Sequence, residues 1–121
     1  QALKRNSLLQ NLDLSENHLG DDGAEVLGQA LERNCSLQTL NVRINGIGDN
    51  GAEALGQALR SKHCSLQTLA LGTNYIRDPG AKALGSALQS DHCWLRTLGL
   101  SMNYIRDAGA RALGEALQSQ T

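Results

Sequence analysis

The chain contains no phenylalanine, one proline, one tryptophan, two tyrosines and one methionine among 121 residues. A core without Phe has to be built from Leu, Ile, Val and Ala. No long apolar run is present, so nothing in the sequence spans a membrane. No charged-then-apolar signal segment opens the chain. The formal net charge is −1. No global field therefore draws in nucleic acid or an anionic membrane. The length suits one domain and is too short for two ordinary ones. The chain begins at Gln1 rather than Met, as a processed chain or one cut from something longer would. Signatures of chemistry are also missing. There is no glycine loop before a lysine, no nucleophile elbow, no zinc-protease helix and no paired CxxC. The expectation is a non-enzymatic protein with no cofactor and no metal.

The cysteines are few: Cys35, Cys64 and Cys93, 29 residues apart. An odd count at one recurring position does not make a disulfide framework. Placed at the ends of packed helices, they would lie about 8–10 Å apart, beyond disulfide reach. Free buried thiols point to a reducing compartment, the cytoplasm. His63-Cys64 and His92-Cys93 resemble metal ligands, but adjacent residues point in different directions. Cys35 has Asn34 beside it instead of His. A buried Cys with an exposed His neighbour is the expected arrangement.

What is present is one block repeated. Leu9, Leu37, Leu66 and Leu95 each open a stretch reading LxxLxLxxN, with starts spaced 28, 29 and 29 residues apart. An Ile or Leu follows, then Asp, then GAxxLGxAL. A fixed period of this length marks a solenoid in which each repeat covers its neighbour's apolar face. The repeats run 9–36, 37–65, 66–94 and 95–121, with 1–8 as the remnant of a preceding one. Ala2-Leu3-Lys4-Arg5-Asn6 matches Ala30-Leu31-Glu32-Arg33-Asn34, the helix end of the next block.

In the repeat from Leu66 to Trp94, Leu69 and Leu71 alternate with Thr68, Ala70 and Gly72, which is strand periodicity. Strands are predicted to centre near Leu12, Leu40, Leu69 and Leu98. An Asn follows each strand: Asn17, Asn45, Asn74 and Asn103. A stacked column of side-chain amides there can satisfy backbone groups that lose their ladder partners. Asp21, Asp49, Asp78 and Asp107 stand where helices begin, and Pro79 follows Asp78. Asp is a strong N-cap and Pro suits the first helical position. Helices are therefore expected just after each Asp, with the carboxylates as structural caps. Ala81, Leu84 and Leu88 recur on one helical face, while Lys82, Ser86 and Gln89 face solvent. Gly28, Gly56, Gly85 and Gly114 fall mid-helix, where each costs about 1 kcal/mol against Ala. Four at one position imply close approach to a strand or another helix.

Parallel strands stack about 4.8 Å apart and helices need about 8–10 Å, so the stack bends. The expected fold is α/β: a right-handed β-α superhelix forming a curved horseshoe segment. Its parallel sheet lies on the inner, concave side and its helices on the outer side. The pattern LxxLxLxxNxIxDxGAxALGxAL resembles the ribonuclease-inhibitor-like class of leucine-rich repeats, from Leu9 to the C-terminus. That class includes ribonuclease inhibitors, Ran GTPase-activating proteins and the repeat arms of nucleotide-binding innate immune receptors. The single repeat type with GAxALGxAL is most similar to the immune-receptor arms, because ribonuclease inhibitors alternate two types. The resemblance implies function by binding proteins or ligands on the scaffold.

The register exposes Asn11, Asp13, Ser15 and Glu16 on the first rung. The second presents Thr39, Asn41, Arg43 and Ile44. The third presents Thr68, Ala70, Gly72 and Thr73, and the fourth Thr97, Gly99, Ser101 and Met102. The first rung is acidic, the second carries one Arg, and the last two are small and nearly uncharged. Such a floor either admits a partner closely or is an unselected surface. Past the strands, Tyr75 and Arg77 repeat as Tyr104 and Arg106, where the first two repeats have His18/Gly20 and Gly46/Gly48. Stacking should set the Tyr pair and the Arg pair side by side, either as a binding edge or as solvated loops with Arg on Tyr. The candidate protein-binding set is therefore Tyr75, Arg77, Tyr104 and Arg106, with Asp13, Glu16, Asn41, Arg43 and Met102. Trp94 replaces Ser36 and Ser65 on the opposite edge, where packing over a hydrophobic gap is the expectation and a contact with a partner the alternative.

The leading function is a protein-recognition scaffold, part of a larger sensor or regulator, with an unidentified protein partner. A Ran-type GTPase-activating regulator is the second reading, separable by a GTP hydrolysis assay. The third is a segment excised or engineered to study repeat folding. Leu12, Leu14 and Leu27 at one end and Leu98, Leu100 and Leu113 at the other lack covering residues, so self-association through the terminal repeats is also expected.

Overall fold

The computed structural model describes residues 8–34 and 36–119. Four strands, β1 (Asn11–Asp13), β2 (Thr39–Asn41), β3 (Thr68–Ala70) and β4 (Thr97–Gly99), alternate with four helices. These are α1 (Gly20–Leu31), α2 (Asp49–Leu59), α3 (Asp78–Leu88) and α4 (Asp107–Gln118). The strands form one sheet in sequence order, every pair parallel. Leu12, Leu40, Leu69 and Leu98 stand in register as its central row. Each helix packs on the next, so sheet and helices make two layers of an α/β solenoid. The core between them is aliphatic. Leu40, Val42, Leu69, Leu71, Ile47, Ile76 and Leu84 are sealed from solvent. Burial of such side chains, at about 25 cal/mol per Å² of apolar surface, is the main favourable term.

Each strand covers three residues, but its ladder continues into the following loop. The N–H of Glu16 donates to the Arg43 carbonyl, that of Ile44 to Gly72 and that of Thr73 to Ser101, at 2.9, 3.1 and 2.8 Å. Glu16, Ile44, Thr73 and Met102 all take positive φ, between 55° and 61°. This left-handed turn is costly for β-branched Ile44 and Thr73. The asparagine that follows sits where its amide can bridge two rungs. Asn74 is buried: its Oδ1 accepts from the Asn45 and Ile47 N–H groups, each at 3.0 Å. Its Nδ2 donates to the carbonyls of Val42, Leu71 and Gly72. Asn45 makes the same bridge to Asn17 and Leu19, and Asn103 to Ile76.

The aspartates differ from the expected caps. Helices start at Gly20, Asp49, Asp78 and Asp107, so each Asp lies inside the first turn, and no helix has a side-chain cap from its own preceding residue. Asp49 instead reaches into the next repeat. Its Oδ1 accepts from the Arg77 N–H at 2.8 Å and the Gly80 N–H at 2.9 Å, the open donors at the start of α3. Asp21 does the same for Gly48 and Gly51, and Asp78 for Arg106. The reason is geometric. Once Asp takes the first helical position its carboxylate points along the stack, and the neighbouring helix start lies within reach. A Cβ on Gly80 would come within 2.7 Å of Asp49 Oδ1, so Gly51, Gly80 and Gly109 each leave room for the preceding repeat's carboxylate.

The cysteines are also placed differently. Cys64 and Cys93 lie beyond the last helical residues Leu59 and Leu88, in the turns leading to the next strands. Cys64 is buried and Cys93 half-buried, and neither is in a disulfide among the described residues. Cys35, and the matching stretch from Ala2 to Asn6, lie outside the described residues. Among the described residues no helix is long and apolar enough to cross a membrane, and no three His, Cys, Asp or Glu side chains converge on a metal position.

Candidate functional site

The loop from each strand to its helix builds one edge of the solenoid. Because β3 and β4 are in register, Tyr75 and Tyr104 stand on adjacent rungs. Their rings are parallel within 6°, with centroids 6.0 Å apart. Both remain more than half exposed, at 58% and 54%. The Arg77 guanidinium sits over the Tyr104 ring, 5.8 Å from its centroid, within cation–π range. Their backbones are pinned from behind: the Tyr75 N–H donates to the Ile47 carbonyl and that of Tyr104 to the Ile76 carbonyl, each at 2.8 Å. Arg77, Asp78, Pro79, Tyr104 and Arg106 line an open cavity of about 300 Å³. Two of the four large exposed groups here, Tyr75 and Tyr104, have few rotatable bonds, so little entropy would be lost on contact.

The strand face is flatter and more polar. Asp13 is fully exposed, and the Ser15 N–H, at 3.0 Å, and then its hydroxyl hold the Asp13 carboxyl below its ordinary value. Glu16 is exposed beside it. Asn41 is half-buried, and its Oδ1 accepts from the Arg43 N–H. The Arg43 side chain lies across Gly72: a Cβ there would meet Arg43 Nε at 3.0 Å and Ser101 Oγ at 3.1 Å. Met102 is 75% exposed.

Tyr75, Arg77, Tyr104 and Arg106 are thus brought together on rungs three and four. Arg43 and Met102 flank them on the strand side. Asp13 and Glu16 lie apart, on the far rung of the sheet. Ile44 was not singled out with the Tyr/Arg pair, yet it is 40% exposed on the same edge. Its signal was an apolar residue in the turn position that Glu16, Thr73 and Met102 hold. Trp94 corrects the packing expectation. It is 65% exposed, whereas Ser36 and Ser65 at the same position are half-buried. The hydroxyls there bond to the preceding rung's carbonyls, Leu9 and Leu37, and an indole ring is too large to follow them inward.

A Leucine Rich repeat profile matches residues 5–28, 33–56, 62–85 and 91–114, most of the chain. The chain belongs to the leucine-rich repeat family. No curated protein sequence matches it. Solved structures do. One is described as "Leiomodin-1 Actin-Binding Site 2 (ABS2)", 17% identical with a TM-score of 0.81, covering 98% of this chain and 69% of that one. Another is the tropomodulin C-terminal domain of Caenorhabditis elegans, 12% identical with a TM-score of 0.66, covering 98% and 88%. At these identities the likeness is one of fold. Leucine-rich repeat domains are, in general, protein-interaction scaffolds, and the leiomodin-1 structure is that of an actin-binding site.

Proposed function

We propose that this leucine-rich repeat chain is a non-enzymatic recognition scaffold that binds a protein in the cytoplasm. It acts through its concave strands and the adjoining loop edge, as part of a larger sensor or regulator of the kind built with immune-receptor repeat arms. The observation that carries this reading is the exposed, stacked Tyr75–Tyr104 pair with Arg77 over Tyr104. Large rigid aromatics and arginines dominate binding energy at protein interfaces, and here they are held in place by backbone bonds without being buried.

A photo-crosslinking residue at Tyr75 or Tyr104 tests it. The expected outcome is one recurrent protein adduct in cells, absent when the same group replaces exposed Lys82 on the helix side. Equal labelling from Lys82 sinks the reading. Actin is a reasonable first candidate for a cosedimentation trial, given the leiomodin-1 fold. The half-buried leucines of the outer rungs further suggest pairing through a terminal repeat. Sedimentation should then detect a dimer at high micromolar concentration, and a strict monomer would exclude it.

A further inference from the structure

Four large apolar side chains, Ile44, Tyr75, Met102 and Tyr104, are exposed at the same stage of three successive repeats. Ile44 and Met102 precede the bridging asparagine, and Tyr75 and Tyr104 follow it. They share one edge because the rungs beneath them are in register. The apolar file is continuous at rung two as well: a Cβ on Gly46 would lie 4.0 Å from Tyr75 Cε2, so the Tyr75 ring leans onto that rung's glycine.

Within the connections that carry this file the formal charge is all positive. The connections 41–48, 70–77 and 99–106 contain Arg43, Arg77 and Arg106 and no Asp or Glu. The first rung's equivalent, 13–20, reverses this with Asp13 and Glu16 and no Lys or Arg, His18 being its one basic side chain. Of the helix-start aspartates at the foot of the edge, Asp49 and Asp78 are half-buried, whereas Arg43, Arg77 and Arg106 are exposed. The Oδ1 atoms of Asp49 and Asp78 already accept backbone N–H groups of the next repeat. Asp107 is exposed at the foot of the last rung. The side chain of Arg77 is committed to the Tyr104 face, and that of Arg43 lies flat over Gly72 on the strand floor. Arg77 is therefore held against the apolar file, and Arg43 lies on the strand floor.

From this we infer that the partner segment is acidic and apolar together: a short peptide stretch that lays large apolar side chains on the Ile44–Tyr104 file and carboxylates on the flanking arginines. The inference rests on the reading that this edge binds protein. An apolar centre with a charged rim is the layout in which desolvated anchors supply affinity and rim charges select the partner and speed encounter. A basic segment would meet three arginines over rungs two to four. The acidic pair Asp13 and Glu16 lies beyond the apolar file, and exposed Asp107 stands beside Arg106.

Three synthetic peptides of equal length test it by amide chemical-shift titration of the full chain. One alternates Glu with Leu and Phe, one has Lys for each Glu, and one has Ser for each apolar residue. The first should shift the amides of Ile44, Tyr75, Met102 and Tyr104, and added salt should weaken it. The other two should bind at least about tenfold more weakly. A chain carrying Arg43→Glu and Arg106→Glu, both exposed positions, should lose binding of the first peptide by about tenfold or more with an unchanged circular dichroism spectrum. If the Lys peptide binds the same amides equally well, the edge remains a binding surface and the acidic chemistry is wrong. If shifts appear instead around Trp94 on the opposite edge, or none appear, the edge reading fails with it.

Discussion

Leu40, Val42, Leu69 and Leu71 are sealed from solvent, whereas Leu12, Leu14, Leu98 and Leu100 hold the same pattern positions and are only half-buried. The inner and outer rungs of the described solenoid thus carry one sequence pattern in two environments. A residue's contribution is set less by its place in the repeat than by whether a neighbour stands on both sides. That follows from a stack whose units touch only adjacent units. Paired substitutions at equivalent positions should expose the difference without changing the chemistry.

Leucines should separate most. Leu69→Ala removes a fully buried side chain between two rungs and should cost about 2–5 kcal/mol. Leu98→Ala removes a partly solvated one and should cost about 1–2 kcal/mol. Urea unfolding of the two variants checks this, and equal losses would mean the outer rung is as well packed as the inner. The asparagines come next. Asn74→Ala strands the buried Asn45 and Ile47 N–H groups, and at 1–3 kcal/mol per stranded group the loss should be about 2–4 kcal/mol. Exposed Asn17 bonds through its Nδ2 to the carbonyls of Leu14 and Ser15. Its replacement by Ala should cost about 1 kcal/mol or less, because water can take its place.

The aspartates test the inter-repeat cap. Asp49→Ala removes the acceptor for Arg77 and Gly80 and should cost about 1 kcal/mol. Its effect should appear as faster amide exchange at the start of α3 and not of α2. Asp107 makes no such bond among the described residues, and its replacement should be nearly neutral. This pair also marks where sequence reading ended. Strand centres at Leu12, Leu40, Leu69 and Leu98 were legible, because period-two alternation inside a fixed repeat leaves no other register. The proximity of Tyr75 and Tyr104 followed from the same period. The role of Asp did not, because a capping rule reads one helix at a time, and the donors of α3 are met by a residue from 28 positions earlier. Nor did the exposure of Trp94, since hydrophobic size says nothing of which way a turn residue faces.

The mid-helix glycines give the smallest effect and the sharpest contrast, because the two ends of the stack should differ in sign. A Cβ at Gly28 would lie 2.9 Å from the Ala54 carbonyl oxygen on the next helix, closer than contact allows. Gly56 and Gly85 face Ala83 and Ala112 in the same way, each at 3.2 Å. Gly114, on α4, meets nothing within 4 Å. Replacing a mid-helix glycine by alanine gains about 1 kcal/mol of helix propensity wherever the methyl is free. Gly114→Ala should therefore raise stability by up to that amount. At Gly28 the same gain is opposed by pushing two packed helices apart, an overpacking cost of about 1–3 kcal/mol, so Gly28→Ala should show a net loss of about 1 kcal/mol. Thermal unfolding of the two variants, in the same buffer and at the same protein concentration, reads the sign directly. Stabilisation at both positions would mean that helix spacing tolerates a methyl group, and that the glycines do not set how closely the repeats stack.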